Sequence, residues 1–198
     1  MSPATQRRLA VIRAGFSGDT GTAVLALGDT DEMVRVSALR ALDRCGELSG
    51  VALATATGDS SVEVRRAAAE LCARHHDVPV AALVDDPDKF VAEMAAWALG
   101  ERPSPSDVEI ALLMDRTTSH DEPIVREACA AALGSIGDPR GLPAILAACA
   151  DKPAVRRRAV LALAPFEGKE VEAALRAALE DRDWQVRQNA EDLLSPRT

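Results

Sequence analysis

Along this chain the apolar positions recur with helical spacing and within one repeated phrase. Val34-Arg35 is followed by Ala38, Ala41 and Leu42, Val64-Arg65 by Ala68, Leu71 and Cys72, and Val91-Ala92 by Ala95, Ala98 and Leu99. The phrase returns at Val125-Arg126, Val155-Arg156 and Val186-Arg187. Its apolar residues share one face of a 3.6-residue helix. Upstream of each phrase lies a second amphipathic stretch, such as Leu142, Ile145, Leu146 and Cys149, or Val171, Leu175 and Leu179. A polar, Asp-containing turn joins the two stretches each time, from Asp29-Thr30-Asp31 to Asp181-Arg182-Asp183. Asp and Ser satisfy the orphan amides of a helix start and Pro is tolerated in the first turn, so each turn predicts where a second helix begins.

The six valines stand 27 to 34 residues apart, a period that marks a solenoid. The expectation is an all-α fold: an α-solenoid, a right-handed superhelix of about six two-helix repeats. It reads as a single domain over 1–198, with a capping helix in 1–18 and the repeats in 19–198. Leu9, Ile12 and Phe16 form the stripe expected to cover the first repeat. Gly46, Gly100, the run Gly134-Ser135-Ile136-Gly137-Asp138-Pro139, and Pro165 with Gly168 read as stops of second helices. The longest connection, Glu101 to Pro105, leads into Ser106-Asp107-Val108-Glu109, which has the form of a capping box. Gln185, Gln188, Asn189, Glu191 and Asp192 suit a last helix that faces water.

Composition sharpens this picture. Aromatics make up 3% of the chain, with no Tyr, which disfavours a large β core, and Ala and Leu carry the apolar fraction. The net charge is −8, so nucleic acid and anionic membrane surfaces are disfavoured partners. Cys45, Cys72, Cys129 and Cys149 form no CxxC pair and match no zinc ligand spacing. Three of them stand in Ala- and Leu-rich runs, as reduced structural thiols do. No apolar run approaches the ~18 residues of a membrane helix, and the expected location is cytoplasmic.

The pattern of a turn Asp, Val-Arg, Ala and Ala-Leu resembles the HEAT-like repeats of the PBS-lyase type, most closely in VREACAAALGSIGD from Val125 to Asp138. Such repeats occur in phycobilin lyases, deoxyhypusine hydroxylases, DNA-alkylation glycosylases and many scaffolds, and they specify fold rather than function. The resemblance implies that the phrase helices line a concave face. It also implies that Arg35, Arg65, Arg126, Arg156 and Arg187 form a structural ladder with turn aspartates of neighbouring repeats. The third repeat has Ala92 in place of the ladder arginine.

Candidate chemistry is sparse. His75-His76 point about 100° apart on a helix and suit a C-terminal cap rather than a metal. The chain has no His-Glu step, so a di-iron centre of the hydroxylase kind lacks ligands, and no catalytic residue, metal site or cofactor is assigned. A lyase groove would need clustered aromatics, and a glycosylase would need a basic face around Trp97 and Arg156-Arg157-Arg158. These enzyme classes remain the alternative to a non-catalytic scaffold that binds a protein or peptide on the concave face.

The groove positions read as Val36 with Arg40, Arg66 with Glu70, Glu93 with Trp97, Glu127 with Ala131, Arg157 with Leu161 and Gln188 with Asp192. Trp97, Glu93, Glu127, Arg66 and Arg157 are the candidate binding residues, and the middle of the groove reads as acidic. Two readings of Trp97 stay open: filler for the space beside Ala92, or an exposed anchor for a basic or amphipathic segment.

Overall fold

The computed structural model describes residues 1–195, among which are twelve α-helices and no strand. It divides into two compact units, Met1–Leu83 and Val84 onward. The first unit holds α1 (Pro3–Ser17), α2 (Thr20–Ala26), α3 (Glu32–Cys45), α4 (Gly50–Thr57) and α5 (Val62–Cys72). The second holds α6 (Lys89–Gly100), α7 (Asp107–Ser119), α8 (Pro123–Ile136), α9 (Leu142–Ala148), α10 (Pro153–Ala162), α11 (Lys169–Ala178) and α12 (Trp184–Leu194).

Each recurring phrase lies on a second helix: α3, α5, α6, α8, α10 or α12. Its six valines are buried, together with Leu42, Leu71, Leu99, Leu133 and Leu163. Burying a side chain of this size contributes about 1.5–3 kcal/mol, so the phrase itself builds the core. Within each unit the phrase helices pack in series, α1 on α3 on α5, and α6 on α8 on α10 on α12.

The starts follow local chemistry. Asp31, Asp88 and Asp183 each accept a hydrogen bond from a first-turn amide. Pro123 and Pro153 open α8 and α10. Ser106 and Glu109 form a reciprocal capping box at α7.

Three expectations need correction. The third repeat has no α-helical first half: Ala81–Asp85 is a single 3-10 turn. Its repeat is the shortest of the set, and the turns around His75–Val78 occupy chain that would otherwise extend the helix.

The stripe on α1 is the second correction. Phe16 is 74% exposed, and the buried residues are Val11, Ala14 and Gly15. A Cβ on Gly15 would come 2.8 Å from the Ala41 Cβ, so α1 is held by close backbone approach to α3. Phe16 instead lies under the Arg44 guanidinium, 4.3 Å from ring centroid to Cζ.

The third concerns glycine. Gly46 caps α3 and Gly137 caps α8, both at positive φ, and Gly100 is the last residue of α6, but Gly134 lies within α8. A Cβ on Gly134 would stand 2.7 Å from Ala162 Cα, and one on Gly100 2.8 Å from Ala132 Cα. Gly100 and Gly134 let α6, α8 and α10 approach closely, and Gly134 does so without stopping its helix.

Candidate functional site

The turns and phrase helices are joined by arginine–aspartate rungs. Arg35 donates through Nε and Nη2 to the two carboxylate oxygens of Asp59 at 2.9 and 2.7 Å. Arg126 holds Asp151 in the same way at 2.6 and 2.8 Å, and Arg156 holds Asp181 at 2.8 and 2.8 Å. In each case Nη1 donates to a carbonyl of the arginine's own turn: Asp29, His120 or Asp151. Arg65 and Arg187 make the same Nη1 bond, to the Asp59 and Asp181 carbonyls. Hydrogen bonds from the arginines hold the Asp59, Asp151 and Asp181 carboxyls below the ordinary carboxylate range, as a paired charged form requires.

One rung begins earlier than the sequence reading placed it. Arg7 on α1 grips Asp29 at 2.6 and 2.8 Å, and this pairing together with the Asp31 amide lowers the Asp29 pKa to about 2. α1 is therefore built like a phrase helix that lacks its leading partner. The signal was present: Arg7 precedes Asp29 by nearly the interval that separates Arg35 from Asp59.

The rung after α6 is rebuilt. Ala92 is fully buried, and the turn of the next repeat carries His120 where the other turns carry the ladder Asp. His120 Nδ1 accepts from the Glu122 amide at 3.1 Å, the capping bond that Asp59 and Asp181 make to Ser61 and Asp183. That bond places the ring proton on Nε2. In compensation Arg116 on α7 donates to Asp85 at 2.6 and 3.0 Å and also contacts Asp115. Cys129 lies near this pair, and burial pushes its thiol up to about 12, which makes it a poor nucleophile.

Four of the five candidate binding residues lie on phrase helices of the second unit. Trp97 is 40% exposed on α6, with Glu93 one turn before it and half-buried. Glu127 on α8 is half-buried and lies 3.6 Å from Arg158 of α10. Arg157 is tied to Asp183 at 2.6 Å, so it serves as a further link to α12. Arg66, in the first unit, is exposed and pairs with Glu63 one turn earlier on α5. Val36, read as a groove position, is buried.

The positions six after each valine point outward. Arg40, Trp97, Leu161 and Asp192 are exposed, and Glu70 and Ala131 are half-exposed. Neighbouring helices bring these positions side by side: Arg40 on α3 donates to Glu70 on α5 at 2.9 Å. In the second unit the same row reads Trp97, Ala131 and Leu161 across α6, α8 and α10.

The histidine pair lies just past α5. His75 Nε2 meets Asp43 at 2.8 Å, and His76 Nε2 meets the Ala73 carbonyl at 2.8 Å. Among the described residues no three His, Cys, Asp or Glu side chains gather as a metal site. No described helix is long and apolar enough to cross a membrane.

These repeats and rungs define a class of helical solenoid. The family model for HEAT repeats matches residues 76–154, and that for the PBS lyase HEAT-like repeat matches 155–181. The chain belongs to the HEAT-like repeat proteins of this type. No curated protein matches it in sequence. Among solved structures it is similar to YibA of E. coli at 18% identity and TM-score 0.65, covering 98% of this chain and 75% of that one. An engineered protein aligns at 21% identity and TM-score 0.61, covering 89% and 95%. A designed armadillo repeat protein in complex with the peptide (KR)4 aligns at 20% identity and TM-score 0.61, covering 87% and 96%. At such identities the likeness is one of fold, an α-solenoid.

Proposed function

We propose that this protein is a non-catalytic interaction scaffold that holds a protein or peptide segment on the outward face of its phrase helices, centred on Trp97. The observation that carries the reading is the 40% exposure of Trp97 on α6, one turn after Glu93, in a row whose matching position on α8 is the small Ala131. Exposed tryptophans are costly to leave in water and over-represented at binding hot spots. Glu93, one turn before Trp97, and Glu127, at the matching position of α8 and 3.6 Å from Arg158, place carboxylates on this face, which suits a partner with basic groups. The fold is shared with a designed armadillo repeat protein in complex with the peptide (KR)4, and this supports the reading only as precedent for the architecture.

The test is capture of partner segments from a random peptide display, comparing the parent chain with Trp97→Ala and with Glu93→Ala/Glu127→Ala. The expected result is a loss of about 2 kcal/mol or more on truncating Trp97, with a melting temperature close to the parent's. A sharp fall in melting temperature with unchanged capture would assign Trp97 to packing and remove the proposal.

A further inference from the structure

The last phrase helix, α12, carries a stripe that no described element covers. On α6, α8 and α10, each followed by another phrase helix, the positions one and five after the valine are buried: Ala92 and Ala96, Arg126 and Ala130, Arg156 and Val160. On α12 the same positions are Arg187, half-buried, and Glu191, exposed. They lie between Trp184, 65% exposed, and Leu194, 36% exposed. This spacing of i, i+3, i+7 and i+10 keeps the four within about 80° of one another around a helix of 3.6 residues per turn. Asn189 marks the opposite side, where its Nδ2 donates to the Arg157 carbonyl on α10 at 3.0 Å.

Arg187 is already oriented for a carboxylate. Its Nη1 donates to the Asp181 carbonyl at 2.8 Å, the bond that fixes Arg35, Arg126 and Arg156 while their Nε and Nη2 grip an aspartate. Among the described residues no carboxylate takes the Nε and Nη2 edge of Arg187, and no basic group pairs with Glu191. A further repeat of the same kind would bring a turn Asp to Arg187. It would also bury Glu191, at the position where the inner helices have Ala96, Ala130 and Val160. An occupant that suits both residues offers a carboxylate to one and a cation to the other.

The stripe is complementary to itself. Trp184 and Leu194 stand five residues to either side of Asn189, and Arg187 and Glu191 two to either side. A two-fold axis that pairs two copies of α12 antiparallel therefore sets unlike members opposite each other, and every contact is made twice. A parallel pair would instead oppose Arg187 to Arg187 and Glu191 to Glu191.

We propose that this protein self-associates as a two-fold dimer through α12, with Trp184 packed on the partner's Leu194 and Arg187 paired with the partner's Glu191. The indole supplies most of the covered apolar surface, and the ion pairs set the register more than the strength. A helix of 11 residues spans about 16 Å. So short a contact belongs with the transient interfaces, and the dimer forms at micromolar rather than nanomolar concentration.

The test is sedimentation equilibrium of the parent chain from about 1 to 500 μM, a range that brackets micromolar association. The expected result is a monomer that becomes a dimer, and nothing larger, as concentration rises. Trp184→Ala and Glu191→Arg should each weaken the dimer about tenfold or more, with melting temperatures near the parent's because both side chains are exposed. Arg187→Glu should do the same. Mixing the Glu191→Arg and Arg187→Glu variants restores both unlike pairs across the axis, and the mixture should associate at least about fivefold more tightly than either variant alone. Where Arg187→Glu melts too low to be mixed, having lost its bond to the Asp181 carbonyl, Trp184→Ala and Glu191→Arg decide alone.

A parent chain that stays monomeric across the range overturns the proposal. So does a dimer that neither Trp184→Ala nor Glu191→Arg weakens, or growth into open-ended assemblies. A mixture no tighter than its components overturns the antiparallel register.

Discussion

The joint between α8 and α10 and the joint between α6 and α8 do the same mechanical task with different parts. At the first, Arg126 reaches forward to Asp151, which lies in the following turn. At the second, the arginine is Ala92 and the aspartate is His120, and the ion pair has moved to Arg116 and Asp85. Both partners of the standard rung changed together. A lone arginine would have left a charge without its carboxylate, and a lone aspartate would have lost its cation, each costing more than the exchange of both. The comparison also shows what a repeat tolerates: the close glycine–alanine contacts persist on both sides of α8 while the polar link is rebuilt.

The largest effect should come from forcing the standard arginine into the rebuilt joint. Ala92→Arg buries a guanidinium where no ladder aspartate waits, and it should cost about 3 kcal/mol in urea unfolding. Adding His120→Asp should return at least about 1 kcal/mol, the coupling expected for a regained charged hydrogen bond. Additive effects of the two substitutions would show that the two positions are not one rung.

A smaller contrast lies between the existing pairs. Arg126 and Asp151 keep only 10% and 20% of their side-chain surface exposed, against 29% and 48% for Arg116 and Asp85. Arg126→Met should therefore cost about 1.5–2 kcal/mol and Arg116→Met less than about 1 kcal/mol. Equal losses would mean that exposure does not distinguish the joints.

The smallest effect is in pH dependence. The ladder carboxyls titrate below their unfolded values because the arginines donate to the charged form. Their stabilisation is complete above the unfolded carboxylate pKa, near 3.9, and is lost as pH falls through the lower folded values. Stability should accordingly decline from about pH 4 downward, and Arg126→Met should flatten part of that decline. A rise in stability over the same acid range would contradict the assignment.

The repeat was legible because its information is local: the Val-Arg phrase, the capping turns and the helical spacing lie within about fifteen residues of one another. The rungs were partly legible, since Arg126 and Asp151 belong to matching positions of successive repeats. Arg116–Asp85 was not, because Arg116 lies on α7, outside the Val-Arg phrase that the sequence reading followed. Gly134 misled for a related reason: a glycine at a helix end and a glycine at a close helix contact look alike until the neighbouring helix is placed. At the candidate site, Trp97, Ala131 and Leu161 were read as groove positions with Trp97 left open between filler and exposed anchor, and the structure exposes Trp97 and Leu161 and half-exposes Ala131. The pairing of Arg158 with Glu127 was missed because Arg158 lies one residue beyond the positions read as facing the groove and the contact crosses between helices.

The central claim is that Trp97 lies under a bound segment. Trp184, 65% exposed on α12, is the other tryptophan, and Trp184→Phe leaves Trp97 as the single indole reporter. Acrylamide quenching of that variant should fall markedly when a peptide selected by display on the parent chain is added, with a blue shift in emission, as an exposed ring becomes covered. Unchanged quenching and emission across a titration to about 1 mM peptide, a range that captures even millimolar binding, would contradict the claim.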